Sequence, residues 1–288
     1  MTLTQKEPKN ITIWTTSVSK VFVWTNQVRP VESSSFDWDL TKATLTKTTQ
    51  ISAYICYWLA ISDNGTRFYY VTNEWNRQKW KCYQYNLGTA RDVSTKGPSP
   101  TASFQFWSAS ASYWVYPSNF IFKNNGSYLY IGYSNSWTTF IDWYTLSTPR
   151  EISTATLVSS TSVPWVDGTS VYFSDDWTDF WYNNTKVYYK QVTTPRTPEV
   201  NWTQVYSSWL WRWFVAPDGS NVYKDAGNSV VQYSMSSPFD FSTVTEVTTL
   251  SKNSGSYSNG VCFNPTWTIM YTVRWALNTP NVYTYTIA

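Results

Sequence analysis

Apolar and polar positions alternate along most of the chain, and one nine-residue pattern is written five times. It begins at Ile61, Phe122, Phe173, Val215 and Phe263. The first column is apolar. The fourth holds a turn former in four copies, Asn64, Asn125, Asp176 and Asp218, with Thr266 in the last. The sixth is a hydroxyl: Thr66, Ser127, Thr178, Ser220 and Thr268. The eighth and ninth are apolar then aromatic: Phe68-Tyr69, Leu129-Tyr130, Phe180-Trp181, Val222-Tyr223 and Met270-Tyr271. Strand, tight turn, strand is the element this predicts. Asn-Gly and Asp-Gly between apolar runs are hairpin signals because both central residues of a type I′ turn need positive φ. Column five is mixed, with Gly65, Gly126 and Gly219 against Trp177 and Trp267. A residue with a Cβ loses roughly 1–2 kcal/mol in the left-handed region, so these two types are poor substitutes there.

A second element follows the hairpins. It reads Tyr85-x-Leu87 then Ala90 to Thr95, Tyr144-x-Leu146 then Ser147 to Thr156, Val192 to Arg196, and Tyr233-x-Met235 then Ser236 to Thr243. The Tyr-x-Leu alternation predicts a third strand, and the Thr-Pro or Ser-Pro after it marks a strand exit, because proline has no N–H to donate. Column five recurs at 65, 126, 177, 219 and 267, spacings of 42 to 61 residues, near the ~40–50 of one propeller blade. Helical periodicity is absent. Residues 11–50 begin with Ile11-Thr-Ile13 and Val21-Phe-Val23, end in Phe36 to Thr44, and read as a degenerate first copy. The expected organisation is a polar tail at 1–10 and one all-β domain at 11–288. That domain is a single β-propeller of six blades, within a range of five to seven. A strand near the N-terminus, such as Ile11 to Thr15, closes the last blade beside Val282 to Thr286.

These hairpins resemble the Asp-Gly-turn repeats of TolB-like and YncE-like β-propellers over roughly residues 54–288. The stretch Leu146-Ser-Thr-Pro-Arg-Glu-Ile-Ser-Thr-Ala-Thr156 resembles a connecting cassette of propeller-like repeat proteins common in bacterial and phage genomes. Arg150 departs from it, since tryptophan is frequent there. The resemblance implies the fold and little about function, because such propellers bind many things.

Composition narrows the functional classes. The chain has 288 residues, 42% hydrophobic and 14% charged, which supports a folded core. Aromatics reach 19%, which favours strands. The net charge of +3 is spread along the sequence, against a nucleic-acid groove. Cys56, Cys82 and Cys262 form no CxxC, so neither zinc site nor disulfide framework is expected, and each reads as a small buried hydrophobe. Met1 to Asn10 lacks a signal-peptide apolar run, and no stretch spans a membrane as a helix. A cytoplasmic or virion-associated monomer is the expectation.

Candidate chemistry is sparse. With no histidine, Ser-His-Asp and Cys-His catalysis and imidazole metal sites are excluded, and no phosphate-cradling loop appears. Asp175, Asp176 and Asp179 read first as a turn whose carboxylates cap their own backbone, and second as a calcium loop. Glu74, Glu151, Glu199 and Glu246 are the acids a glycosidase pair would draw on. Trp209-Leu-Trp-Arg-Trp213 with Tyr54, Tyr57, Tyr113 and Tyr116 offers an aromatic sugar platform, against the plainer reading of core strands. No catalytic residue, metal or cofactor is therefore expected. The expected role is a binding or scaffold module for an unknown protein or glycan, with a carbohydrate-binding or carbohydrate-active propeller and a virion or surface appendage as alternatives. The segments Asn73–Lys81 and Gly97–Ser112 are expected to be long loops on one surface that carry specificity.

Glycine numbers 10 and tryptophan 19; glycine is near half its usual ~7% share in a fold that needs turns. Trp58 stands where the last copy has Gly260, and Trp275 where the fourth has Gly227; Trp181 lies in a tyrosine column. A gene whose UGA codons mean glycine but were translated as tryptophan explains Trp177, Trp267, Trp58 and Trp275. The alternative is a tryptophan-rich binding surface.

Overall fold

The computed structural model describes residues 39–288 apart from 52, 54, 55, 63, 74–79, 108–114, 124, 136, 137, 165–169, 174–178, 184–186, 192–202, 207–212, 217, 253–257, 265, 266, 275–279 and 288. The described residues fall into five four-stranded antiparallel sheets. The first holds β2 (Cys56–Ile61), β3 (Arg67–Asn73), β4 (Trp80–Asn86) and β5 (Ala102–Trp107). The second holds β6 (Val115–Lys123), β7 (Tyr128–Asn135), β8 (Thr138–Leu146) and β9 (Ala155–Pro164). The third is β10 (Ser170–Phe173), β11 (Asp179–Asn183), β12 (Val187–Gln191) and β13 (Thr203–Tyr206). The fourth is β14 (Trp213–Val215), β15 (Asn221–Asp225), β16 (Ser229–Met235) and β17 (Val244–Ser251). The fifth joins β18 (Ser258–Phe263), β19 (Ile269–Arg274) and β20 (Asn281–Ile287) to β1 (Ala43–Gln50).

The first four sheets are meanders and the fifth is completed by β1, and the sheets succeed one another as blades of a propeller. First strands meet first strands, with β2 against β6, β6 against β10 and β18 against β2. The expectation of six blades is thereby corrected. A sixth would need its own hairpin, and only five are written. Residues 39–50 supply a cassette and one strand, and β1 pairs with β20 from Ala43↔Ile287 to Gln50↔Asn281. They complete the fifth sheet instead of starting another. The closing strand is 43–50, whereas the expected one, Ile11 to Thr15, lies outside the described residues, as does the tail 1–10.

Every outer strand carries a bulge at its partner: between Leu45 and Lys47 in β1, and opposite Trp80/Lys81, Trp143/Tyr144, Val187/Tyr188 and Gln232/Tyr233 in β5, β9, β13 and β17. A bulge breaks the row of free N–H and C=O groups that would otherwise template another strand. Val158 and Val247, the exposed valines among the described residues, are bulged residues of this kind.

The hairpin turns hold one surprise. Positive φ at both central residues occurs at Asn125 (54°) and Gly126 (84°), whereas in the first and fourth blades it is confined to Gly65 and Gly219, both at 71°. There Asn64 and Asp218 accept the N–H of Thr66 and Ser220 through their side chains, at 3.2 and 3.0 Å. The turn is thus a type I bend followed by one left-handed residue, not type I′ throughout. Trp267 occupies that left-handed position with φ 60°. Its indole stacks on Phe263 at 5.1 Å and meets Phe214 edge-on at 5.2 Å. Trp177 and Trp275 lie outside the described residues.

Candidate functional site

The two ends of the blades are built differently. At one end the hairpin turns of the first, second and fourth blades lock to the cassettes of their own blades. Arg91, Arg150 and Phe239 donate their N–H to the carbonyls of Gly65, Gly126 and Gly219 at 2.6, 2.8 and 3.0 Å. All three are left-handed, with φ of 67°, 64° and 61°. The next residue, Asp92, Glu151 or Asp240, opens a single 3-10 turn whose apolar member, Val93, Ile152 or Phe241, is buried. Asp39 and Leu40 repeat this ahead of β1. The closing threonine, Thr95, Thr154 or Thr243, turns its hydroxyl back onto the carbonyl of the capping residue at 2.7–2.8 Å.

The cassette also receives the preceding blade. Tyr69 donates its hydroxyl to the Arg150 carbonyl at 2.8 Å, and Tyr271 does the same to Arg91 at 2.7 Å. Where the receiving residue is Phe239, the tyrosine column holds Trp181, and the rings stack at 5.2 Å. Trp181 is therefore a matched partner in its column. Gln84 and Gln232 accept the N–H groups of Ile152 and Leu40, again in the next cassette. Glu151, expected as a possible catalytic acid, is used here: it accepts from Gln84 and Ser153 and faces Arg67 at 3.6 Å. The carboxylates, threonine hydroxyls and glutamine amides named here are spent on the fold itself.

The other end carries the connections between second and third strands and between blades. Asn73, Trp80 and Trp107 are register partners there. The expected long loops are shorter than the sequence suggested. Trp80 and Lys81 belong to β4, and β5 runs through the middle of Gly97–Ser112. The Gly-Pro-Ser-Pro-Thr before β5 masked its alternation. Of the rest, 97–101 precedes β5 on the side of the cassette, and 74–79 and 108–112 lie outside the described residues.

Inner strands bulge at this end, between Cys56 and Trp58 in β2, Pro117 and Asn119 in β6, and Ser258 and Val261 in β18. An inserted residue re-aims a side chain, and Tyr57 is the one β2 inserts. It is half-buried and packs edge-on against Trp80 at 4.9 Å. Trp58 beside it is buried, and a Cβ on Gly260 would come within 3.2 Å of its ring. Trp58 and Gly260 thus fit each other across two blades.

One carboxylate here has no counterpart in the repeat. Asp225 pairs with Lys252 at 2.8 Å, and neither side chain is exposed. It also accepts the N–H of Gly227 at 3.0 Å and of Gly260 at 2.9 Å. A second buried acid, Asp142 in β8, accepts from Tyr144 at 3.0 Å and Tyr133 at 3.3 Å. Burial pushes its carboxyl above the usual range, while bonds from Ser160, Tyr144 and Tyr133 pull it back.

The other expected residues are scattered. Trp213 is no platform: it is 2% exposed and packs edge-on to Phe241 at 4.6 Å. Cys56, Cys82 and Cys262 are buried free thiols, and burial pushes all three above the usual range. Glu246 sits exposed on β17, on a different blade from Glu151. Asp179 opens β11 opposite Gln191, and Tyr116 lies in β6 opposite Ser134. Asp175, Asp176, Glu74, Glu199, Tyr54, Tyr113, Trp209 and Trp211 lie outside the described residues. Among the described residues no three acids, cysteines or histidines gather as a metal site, and no helix is long and apolar enough to cross a membrane.

No family model and no curated protein matches the sequence. Solved structures do match in fold. A luciferin-regenerating enzyme aligns with TM-score 0.52 at 11% identity, over 83% of this chain and 95% of its own. The glutaminyl cyclase of Myxococcus xanthus gives 0.52 at 11%, over 85% and 97%. A functionally unknown protein from Desulfotomaculum acetoxidans gives 0.44 at 10%, over 78% of this chain, which spans only 64% of that protein. The first two likenesses support a propeller fold, and at this identity they carry no activity across.

Proposed function

We propose that this chain is a non-catalytic binding module whose recognition surface is the end bearing the inner-strand bulges. The carrying observation is the asymmetry between the ends. One end repeats a self-bonded cassette, with its capping carboxylates and threonine hydroxyls engaged, in blade after blade. The other has connections of unlike length, from 136–137 to 74–79, and bulges that re-aim side chains such as Tyr57. Recognition residues gather on connections held by a rigid scaffold. The repeats are of the TolB-like or YncE-like kind in this reading, on the turns Asn64-Gly65, Asn125-Gly126 and Asp218-Gly219.

A saccharide is the ligand class that one observation favours, namely the half-buried Tyr57 ring set on Trp80 at the bulge. An aromatic face with a hydroxyl at its edge suits the apolar side of a sugar. The test is a glycan array read with wild-type protein and Tyr57→Ala, followed by fluorescence titration of any hit. Saturable binding lost in Tyr57→Ala supports the reading. Silence of the wild type removes the saccharide, and turnover of glycosides or esters abolished by one carboxylate substitution removes the non-catalytic role.

We also propose that position 267 is glycine in the source organism. It lies at φ 60° in a column where three of five copies have glycine.

A further inference from the structure

The repeat supplies its own control for the buried charges. Asp225 lies two residues after Tyr223, as Val71 follows Tyr69 and Val273 follows Tyr271. Lys252 directly follows β17, as Ile51 follows β1, and their N–H groups make the same bond, to Asn228 and Pro280 respectively. Val71, Val273 and Ile51 are all buried at 1% exposure or less. The second and third blades have Gly132 and Asn183 in the Asp225 column, so the comparison is with the closing blade: the fourth blade has an ion pair where the fifth has the buried apolar pair Val273 and Ile51. Stability does not explain the exchange, because apolar residues of similar volume usually serve a buried site as well or better.

What the carboxylate does that valine cannot is accept N–H groups. The β18 bulge between Ser258 and Val261 takes Gly260 out of the ladder. Its N–H goes to Asp225 instead, at 2.9 Å, and its open Cα side lies under the Trp58 ring. Gly260 is thus held between the carboxylate of the fourth blade and the indole of the first.

We propose that Asp225, neutralised by Lys252, is a positioning residue for the recognition end: it fixes the β18 bulge that shapes the inner wall there. This rests on taking the bulged end as the recognition surface. The test installs the closing blade's own solution, Asp225→Val with Lys252→Ile. Amide exchange is followed by NMR, the melting temperature is measured, and glycan-array binding is compared with wild type. The expected result is that the Gly260 amide exchanges about tenfold faster or more, since a bond to a charged acceptor is lost. Exchange at Val261 and the melting temperature hold, and any saturable array signal weakens. Unchanged exchange at Gly260 overturns the proposal. So does a general acceleration with a fall in melting temperature, which would make the pair an ordinary core element. If the double variant does not fold, Asp225→Asn reads the same amide, because one carbonyl oxygen cannot serve both glycine N–H groups and Lys252. A wild type silent on the array counts against the saccharide reading alone, since Gly260 exchange needs no ligand.

Discussion

Gly126→Ala separates two costs that usually arrive together. Gly126 and Gly227 both have positive φ, 84° and 79°, so an added Cβ meets the same backbone penalty at each. That penalty is about 1–2 kcal/mol, reduced by about 0.4–1 kcal/mol because alanine also restricts the unfolded chain. At Gly227 nothing lies within 4 Å of the new atom. At Gly126 it would stand 2.1 Å from the Arg150 Cγ and 3.1 Å from the Arg150 nitrogen. The side chain can swing away, but the nitrogen cannot without loosening its 2.8 Å bond to the Gly126 carbonyl. The Arg150 carbonyl, which receives Tyr69 at 2.8 Å, would move with it. Two strained hydrogen bonds add about 1–3 kcal/mol. Urea unfolding should therefore place Gly126→Ala about 1–3 kcal/mol below Gly227→Ala at equal m-value. Arg150→Gly should recover part of the difference, because glycine accepts the left-handed φ and removes the clashing Cγ. Equal losses in Gly126→Ala and Gly227→Ala would refute the claim that the cassette locks onto the turn.

Tyr69→Phe and Tyr271→Phe should each cost about 1–2 kcal/mol in urea unfolding, since each leaves a cassette carbonyl without its donor; no loss in either would mean the blade-to-blade bonds contribute nothing. Asp142 has its carboxyl raised by burial, so the folded state holds that proton after the unfolded chain has released it. Its contribution to stability is full below the unfolded pKa and is lost as pH rises through the folded one. Asp142→Asn should flatten that decline between acid and neutral pH, and an unchanged pH profile would contradict it. Trp267→Gly sets about 1–2 kcal/mol of relieved backbone strain against two ring contacts of about 0.5–1.5 kcal/mol each. The melting temperature should shift by no more than about 4 °C. A UGG codon at 267, or a fall beyond about 8 °C, would mark tryptophan as native there.

The strands, the hairpins and the number of written turns were set by local chemistry, so they stand in the sequence. Apolar–polar alternation fixes which residues face a neighbouring blade, and left-handed turn positions demand residues such as Gly65, Gly126 and Gly219. Stacking the copies also shows Asp225 as the one acid in a column that otherwise holds Val71, Gly132, Asn183 and Val273. Ring closure was decided elsewhere. Whether residues 39–50 open a sixth blade or finish the fifth depends on where their edge hydrogen bonds are satisfied, and β20 supplies the partner. The roles of Glu151 and Trp213 were likewise tertiary. An acid reads as catalytic until Gln84 and Arg67 claim it, and an aromatic run reads as a platform until Trp213 is found against Phe241. Asp225 needed the structure most: its meaning lies in Gly260, 35 residues away on the next blade, where a bulge frees one N–H. Local propensity encodes such a column, but only the packed ring brings the two groups together.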